Sequence, residues 1–332
     1  MPTEAIRADS VASPKPPGLV GMKRLAVIGA LVGLAIAGSV AAYRATGFDP
    51  SVQGGDAWNY LAAGERLNSG HDLYGLQPGD RDVVIVPPYW TVPLLAPPPI
   101  AVIWRPLAAI GAVAMGPWGA LILAATLASV LYLILAGGLL GLAVVSVLAA
   151  PLVLLALSGN VNGLVLAAMI LAWRFRERPS WVGLLIAFSI WMKLTPALFL
   201  IWLLGARRIP ALVQTGFFVL AIFALSLLGA GLQAHVDWMR SVPDSRPSPM
   251  SLSSLTGLPS VVVAAVSAVI VALVARRGDE RLTFSAAAIL SGLAAPALYF
   301  QALALLAAAA VPWIEPHGNR RMDLGRAPVV AT

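Results

Sequence analysis

The chain has 332 residues, of which 59% are hydrophobic and only 11% are charged. A soluble domain carries roughly 25% charged residues, so this composition excludes an ordinary soluble protein and indicates an integral membrane protein. The formal net charge is +7, but the basic residues cluster in short connectors between apolar runs, as in cytoplasmic loops. No nucleic-acid partner is therefore predicted. Because there is no cysteine, disulfides and thiol chemistry are excluded.

The first hundred residues are predicted to form a tail, one span and an outer segment. Residues 1–24 are polar and predict a disordered cytoplasmic tail. Residues 25–43 are apolar over nearly the length of about 20 residues that a crossing helix needs. Because many apolar runs follow, we interpret them as an uncleaved helix rather than a signal peptide. Residues 44–99 hold more acids than bases and are predicted to lie outside, with a short helix at 56–67.

The rest of the chain alternates apolar runs with short connectors. We interpret residues 100–113 as a re-entrant or interfacial piece. The predicted spans, several of them short or broken, are 118–136, 138–157, 161–173, 181–192, 195–204, 212–232, 261–275, 282–295 and 297–313. A Gly-Gly turn separates the first two of these, and a second outer loop is predicted at 233–259. The predicted fold is thus an all-α membrane bundle over residues 25–314 with about ten spans and a cytoplasmic tail at 315–332.

Charged residues are scarce, so isolated ones indicate the candidate site. Lys193 lies between two apolar runs, where an ionisable residue costs about 2.5–3.5 kcal/mol and usually faces a functional cavity. The alternative is a lysine that reaches the outer interface from a helix end. Asp56 begins the short outer helix, and from composition alone a solvated loop acid or a helix N-cap is the simpler interpretation. Asp49 is a second candidate acid, although its Asp-Pro pair is more simply a turn.

Two ordered sets of residues resemble a known family. The first set is Asp56 with Tyr60, Gly70 with Tyr74, Pro87-Pro88-Tyr89 and Arg105-Pro106-Leu107. The second set is Gly159-Asn160-Val161-Asn162, a basic connector, Gly183, Met192-Lys193-Leu194-Thr195-Pro196 and Arg207-Arg208. In order and spacing they resemble glycosyltransferase family 87, the actinobacterial mannosyl- and arabinofuranosyltransferases with the GT-C fold. The resemblance covers residues 25–313.

The resemblance implies an inverting, single-displacement transfer of a mannosyl or arabinofuranosyl unit. The donor would be a polyprenyl-phosphate sugar and the acceptor a glycolipid or cell-envelope glycan. A carboxylate must accept the proton of the acceptor hydroxyl, and a cation must hold the departing phosphate. Asp56 would be the general base, and Lys193 and Arg105 would hold the phosphate. For Arg105 the alternative is an anchor at the membrane interface.

Further residues are candidates for substrate binding. Five aromatic residues could stack on sugar faces, although an interfacial aromatic belt explains them equally well: Trp58, Tyr60, Tyr74, Tyr89 and Trp90. Asn160 and Asn162 could bind sugar hydroxyls or phosphate, or could cap the helix that begins there. The basic connectors would contact anionic membrane lipids.

No cofactor is predicted from the sequence. His71, His235 and His317 are scattered without zinc-ligand spacing, so no metal site is predicted, and a divalent ion is left open. His235 with Asp237 on the second outer loop could contact substrate, but a solvated pair is the simpler interpretation.

Two other functions remain as alternatives. Family members often carry Trp and His after the proline that corresponds to Pro296, where this chain has Ala297-Leu298-Tyr299-Phe300-Gln301. That departure leaves a non-catalytic member of the same fold as one alternative. A transporter or flippase of a lipid-linked sugar is the other, because transporters also use broken helices and rare charges. The acids gather in one outer segment and no repeated halves are visible, which favours a glycosyltransferase whose site faces outward.

Overall fold

The computed structural model describes residues 55–74, 96–244, 248, 250–296 and 298–314. Within these residues every regular element is helical. The α-helices are α1 (Gly55–Asn68), α2 (Pro98–Ala108), α3 (Met115–Val147), α4 (Ala149–Ser158), α5 (Asn162–Arg174), α6 (Pro179–Met192), α7 (Phe199–Gly205), α8 (Ile209–Asp244), α9 (Leu252–Thr256), α10 (Ser260–Ala275), α11 (Glu280–Leu293) and α12 (Val311–Ile314). Short 3₁₀ helices cover Gly111–Ala114 and Thr195–Leu198, and a longer one covers Phe300–Ala310. The predicted helical class is confirmed for this part of the chain. The predicted tails and first span, residues 1–24, 25–43 and 315–332, lie outside it.

Two of the helical stretches are long and apolar enough to cross a membrane, judged by length and composition: Gly111–Val147 and Ile209–Ser241. Only 17% of the apolar window of each is buried inside the protein, whereas the core helix of a soluble protein would be mostly covered. The outward faces of the two helices are therefore apolar and unprotected, which indicates a membrane protein. The predicted count of ten spans stays a prediction.

Both long helices are interrupted at a glycine. Helix α3 leaves helical geometry at Gly138, with φ 53° and ψ −125°, and α8 does so at Gly231, with φ 78° and ψ 166°. Glycine adopts positive φ without the steric cost that a side chain would add. The predicted Gly-Gly turn is therefore confirmed at Gly138. The predicted span at 138–157 is itself interrupted, because α3 ends and α4 begins around Leu148.

Helix α1 packs closely on α2 because Gly64 has no side chain. A Cβ at this position would lie 2.7 Å from the carbonyl oxygen of Trp104 and 2.9 Å from the Cβ of Ala108. Trp104 is fully buried, and its ring centroid lies 6.2 Å from that of Tyr60 and 5.1 Å from that of Trp118. This aromatic contact fixes α1 against α2 and the start of α3. The short helix predicted at 56–67 is confirmed.

The opposite end of the bundle is held together by Arg208. Its Nε donates to Oε1 of Glu280 at 2.6 Å, and its Nη2 donates to Oε1 of Glu177 at 2.9 Å. Its Nη1 donates to the carbonyl oxygen of Arg176 at 2.5 Å. One guanidinium therefore joins the α5–α6 connector, the α7–α8 connector and the start of α11. Several partners can be bound in this way because the planar guanidinium of arginine presents its N–H donors in a fixed fork, which the single ammonium of lysine lacks.

The second outer segment is more helical than predicted. Helix α8 continues past the break at Gly231 to Asp244, so the first half of the loop expected at 233–259 is a helix. The prediction that His235 is solvated is wrong, because its side chain is buried. Its Nδ1 lies 2.9 Å from the carbonyl oxygen of Gly231, and its Nε2 lies 3.1 Å from Oγ of Ser226. The break frees a carbonyl group, and the buried imidazole satisfies it.

The last hairpin also differs from the prediction. The segment expected as a helical span at 297–313 is mostly the 3₁₀ helix Phe300–Ala310, followed by the single turn α12. A 3₁₀ helix rises about 2.0 Å per residue, so its 11 residues extend about 22 Å, compared with about 16 Å for an α-helix. The tighter winding changes which side chains face the bundle. The hydroxyl of Ser285 on α11 donates to the carbonyl oxygen of Ala309 at 2.7 Å.

Candidate active site

Four segments that are far apart in the sequence meet at the start of α1. Asp56 lies in the first turn of α1, and Asn160 lies in the turn between α4 and α5. Lys193 follows the last residue of α6, and Gln301 lies in the first turn of the 3₁₀ helix after Tyr299. We refer to Asp56, Asn160, Lys193 and Gln301 as the Asp56 cluster.

The shortest contact in the Asp56 cluster joins an amide and a carboxylate. Nδ2 of Asn160 donates a hydrogen bond of 2.7 Å to Oδ2 of Asp56. Nε2 of Gln301 donates to the same oxygen at 3.5 Å, which is longer than the usual ~2.7–3.2 Å and makes this the weaker of the two bonds. Both donors bind one carboxylate oxygen. Oδ1 of Asp56 accepts no hydrogen bond from the part of the chain that the structure describes.

The turn that carries Asn160 is fixed by its own hydrogen bonds. Helix α4 ends at Gly159 in the left-handed conformation, with φ 66°, and the indole of Trp118 donates to the Gly159 carbonyl oxygen at 2.7 Å. The backbone N–H of Asn160 donates to Oγ of Ser158 at 3.2 Å. Oδ1 of Asn160 accepts from the backbone N–H of Asn162 at 2.7 Å. This last bond fixes the amide orientation, because only Nδ2 then remains to face Asp56.

Lys193 lies where α6 ends and the chain turns back. Its backbone is extended, with φ −159° and ψ 114°, and the 3₁₀ turn Thr195–Leu198 follows, with a proline in its first turn. Its ammonium interacts electrostatically with Asp56. No direct ion pair joins them, because no nitrogen-to-oxygen distance within 4.0 Å occurs for this pair. The two opposite charges are therefore close enough to interact but are not in direct contact.

Burial dominates the electrostatics of Asp56, which lies on α1 outside the two apolar spans. Removal from water raises the pKa of its carboxyl group, because the charged form loses solvation. The hydrogen bond from Asn160, the positive charge of Lys193 and the bond from Gln301 oppose that rise, in decreasing order. A carboxylate with a raised pKa holds a proton more strongly and is a better general base at neutral pH.

The sequence did not indicate the contribution of the last hairpin. Gln301 reaches Asp56, and Tyr299 is close enough for the charge of Asp56 to act on its hydroxyl. One signal was available, because Gln301 is a polar residue in an otherwise apolar run that ends at Val311. The segment that departs from the usual Trp and His pattern therefore still supplies polar groups to the Asp56 cluster.

A comparison with protein families decides the affiliation of the chain. The model of glycosyltransferase family 87 matches residues 95–332, which is more than half of the chain. The chain belongs to glycosyltransferase family 87. Searches of curated proteins and of solved structures each found no match. The family match includes Asn160, Lys193 and Gln301 but begins after Asp56, so the fold is what brings Asp56 to the matched region.

Membership of family 87 makes the protein a glycosyltransferase, with a sugar donor and an acceptor as substrates. A glycosyl transfer needs a group that takes a proton and a group that stabilises the leaving group. The Asp56 cluster offers one carboxylate and one ammonium for these two requirements.

Two of the other predicted site residues make structural contacts. Tyr60 is buried, shares a hydrogen bond with the backbone of Val161 and packs on two tryptophan rings. The Tyr74 hydroxyl donates to the carbonyl oxygen of Ala96 at 2.8 Å. That both stack on sugars stays a prediction. Tyr89, Trp90 and Asp49 lie outside the described residues.

Arg105 belongs to a different group of contacts. Its Nε donates to Oδ1 of Asn68 at 3.1 Å, and its Nη1 donates to the carbonyl oxygen of Gly229 at 2.8 Å. Asn68 ends α1, about 18 Å along that helix from Asp56 at 1.5 Å per residue. The structure therefore does not bring Arg105 into the Asp56 cluster. Its contact with a donor phosphate stays a prediction.

Asn162 begins α5 beside the cluster and is buried. Its Oδ1 has no hydrogen-bond partner in the described residues, and neither does Oγ1 of Thr195, two residues after Lys193. Unpaired buried acceptors are uncommon and costly, so both atoms could receive hydroxyl groups of a substrate.

For metals, the described residues contain no group of three or more His, Cys, Asp or Glu side chains that could hold an ion.

Proposed function

We propose that this glycosyltransferase moves a mannosyl or arabinofuranosyl unit from a polyprenyl-phosphate donor to a hydroxyl of a glycolipid or cell-envelope glycan. Asp56 is the general base, and Lys193 holds the donor phosphate. The observation that carries the proposal is that Asp56 and Lys193 interact electrostatically without forming a direct ion pair. A carboxylate and an ammonium that only stabilised the fold would gain most from direct contact.

The reaction follows from these two charges. The acceptor oxygen attacks the anomeric carbon from the side opposite to the phosphate, while the bond between that carbon and the phosphate oxygen breaks. The proton of the acceptor hydroxyl passes to Asp56. The electron pair of the broken bond leaves with the lipid phosphate, whose added negative charge Lys193 stabilises. A single displacement of this kind inverts the anomeric configuration.

The distribution of charge supports a site on the outer side of the membrane within a GT-C fold. Helices α5 and α6 form a hairpin whose open end carries Asn160 and Lys193. Its closed end and the neighbouring connectors carry basic residues: Arg174, Arg176, Arg178, Arg207, Arg208, Arg276, Arg277 and Arg281. Basic connectors remain on the cytoplasmic side, so the Asp56 cluster faces outward, and we expect both termini to be cytoplasmic.

The deciding experiment is transfer by purified protein in lipid vesicles that contain a radiolabelled polyprenyl-phosphate sugar and an acceptor glycolipid. We expect Asp56→Asn to lose at least 100-fold in transfer rate, in line with the contribution of a general base. Asp237→Asn is the matched control, because Asp237 bonds only to Gln233 among the described residues and should keep full activity. Near-normal transfer by Asp56→Asn would overturn the proposal, and movement of the donor across the bilayer without transfer would favour a flippase.

Orientation has its own test, because the natural chain contains no cysteine. A single Asp72→Cys substitution places a thiol near the end of α1. We expect a membrane-impermeant maleimide to label it from the outside of intact cells. Labelling only after the cells are opened would place the site on the cytoplasmic side.

A further inference from the structure

Two side-chain amides from distant parts of the chain bind the same oxygen of Asp56. Asn160 donates from the α4–α5 turn at 2.7 Å, and Gln301 donates from the last hairpin at 3.5 Å, both to Oδ2. A carboxylate has two oxygens with about four lone-pair directions. Here the hydrogen bonds that the described residues donate to the carboxylate all go to one of its two oxygens, Oδ2.

The unequal use of the two oxygens has a chemical consequence. Oδ2 is occupied by donors, so its remaining basicity is reduced. Oδ1 accepts no bond from the described residues, and Asp56 is only partly buried. A proton that arrives from outside therefore meets Oδ1 as the free and more basic oxygen.

The surroundings hold the Asn160 amide and the backbone that carries Gln301. Oδ1 of Asn160 accepts from the backbone N–H of Asn162. Gln301 is the second residue of the 3₁₀ helix Phe300–Ala310, whose first turn is closed by the bond from the N–H of Ala302 to the carbonyl oxygen of Tyr299 at 2.8 Å. A donor held as the Asn160 amide is loses little freedom when it binds a carboxylate, so it fixes the orientation of that carboxylate.

We propose that Asn160 and Gln301 are positioning residues that bind Oδ2 of Asp56 and thereby direct Oδ1 to the acceptor hydroxyl. This inference rests on the proposed function, in which Asp56 takes the proton of that hydroxyl. In the transfer step the O–H bond of the acceptor breaks, and its proton binds Oδ1. The acceptor oxygen, which keeps the electron pair of its broken O–H bond, forms the new bond to the anomeric carbon. The phosphate leaves with the electron pair of its broken bond to that carbon.

The test replaces each amide by a carboxylate of the same size. Gln301→Glu and Asn160→Asp place a second negative charge beside Asp56 and remove one donor. We expect the acid limb of the pH profile of kcat/KM to move to higher pH and kcat to fall roughly 10-fold or more. The KM for the donor should stay within about twofold, because neither amide binds the donor. Gln301→Met keeps the side-chain length without the donor, and we expect a smaller shift in the same direction.

The matched control is Gln233→Glu, on an exposed glutamine that bonds to Asp237, which should leave the pH profile unchanged. The activity of each variant is compared with that of the natural protein at equal amounts in the membrane, and its thermal unfolding midpoint is measured. If Gln301→Glu is not recovered from the membrane, Gln301→Met replaces it. An unshifted pH profile with full kcat in the Asn160 and Gln301 variants would overturn the inference. So would a rise in the donor KM without a pH shift, which would make these amides donor-binding groups. Asp56→Asn is assayed in parallel. If that variant keeps its activity, the role of Asp56 as general base is wrong, and this failure is distinct from a failure of the positioning role.

Discussion

Lys193 and Asp56 attract each other electrostatically but make no direct ion pair. The two groups come from the end of α6 and the start of α1. A donor bound between them would place its phosphate against the ammonium, and the transferred sugar and the acceptor hydroxyl would lie on the side of the carboxylate.

Replacement of Lys193 should therefore weaken donor use more than acceptor use. For Lys193→Met we expect kcat/KM for the donor to fall roughly 100-fold, the size of effect that loss of one charge-stabilising group produces. Lys193→Arg keeps the charge and should lose less. Steady-state kinetics with both substrates varied will measure this. An unchanged donor KM together with an unchanged kcat would make Lys193 a structural residue.

The pH dependence of the natural enzyme should reflect the partial removal of Asp56 from water. Burial raises the pKa of its carboxyl group, and the base works only when it is unprotonated. Activity should therefore be lost as pH falls through a value above the ordinary aspartate pKa of about 3.9. Below that value kcat/KM should drop about tenfold per pH unit. A profile that stays flat down to pH 4 would contradict the assignment of Asp56 as the base.

Gly64→Ala should disturb the site from a distance. The added Cβ would lie 2.7 Å from the carbonyl oxygen of Trp104, so α1 must shift away from α2. Overpacking of this kind costs about 1–3 kcal/mol, and the shift should also lower kcat, because α1 carries Asp56. Gly116→Ala is the matched control, since a Cβ there meets nothing within 4 Å. Equal unfolding midpoints for the two variants in detergent would show that α1 and α2 are not in such close contact.

Arg208 should be a stabilising residue at the end of the bundle opposite to the Asp56 cluster. Its hydrogen bond to Glu177 lowers the pKa of that carboxyl group. Glu177 therefore stabilises the fold while it is ionised, and this contribution is lost as pH falls through its lowered folded-state pKa. Arg208→Lys cannot keep all three partners, so we expect its unfolding midpoint at pH 7 to be lower than that of the natural protein. We also expect this midpoint to decrease less on acidification than that of the natural protein. The control is Arg277→Lys, on an exposed arginine, which should change neither the unfolding midpoint at pH 7 nor its decrease on acidification.

The sequence predicts the local features of this fold better than its long-range contacts. The helix that begins near Asp56, the break around Gly138 and the polar turn at Asn160 follow from caps, glycines and interrupted hydrophobicity. His235 was misjudged because its two partners, Ser226 and the Gly231 carbonyl, become available only when α8 breaks. Gly231 permits that break locally by its positive φ, but which side chains the break brings together depends on the three-dimensional fold.

The candidate site shows the same limit. Asp56 and Lys193 stand out as isolated charges in an apolar chain, so composition alone makes them candidates. Gln301 does not, because its importance lies in a contact across 245 positions of sequence. Gln301 is the second residue of the 3₁₀ helix Phe300–Ala310, and a periodicity that assumes an α-helix would not predict its contact with Asp56.

The last hairpin also sets when the enzyme matures during its synthesis. Asp56 leaves the ribosome long before Gln301, and the carboxylate gains its second amide donor only when the final apolar segment has been inserted and has folded back on α4 and α5. A nascent or prematurely terminated chain would carry the acid without its complete surroundings. Chains cut short before the last hairpin would thus reach the membrane without the Gln301 donor to Asp56.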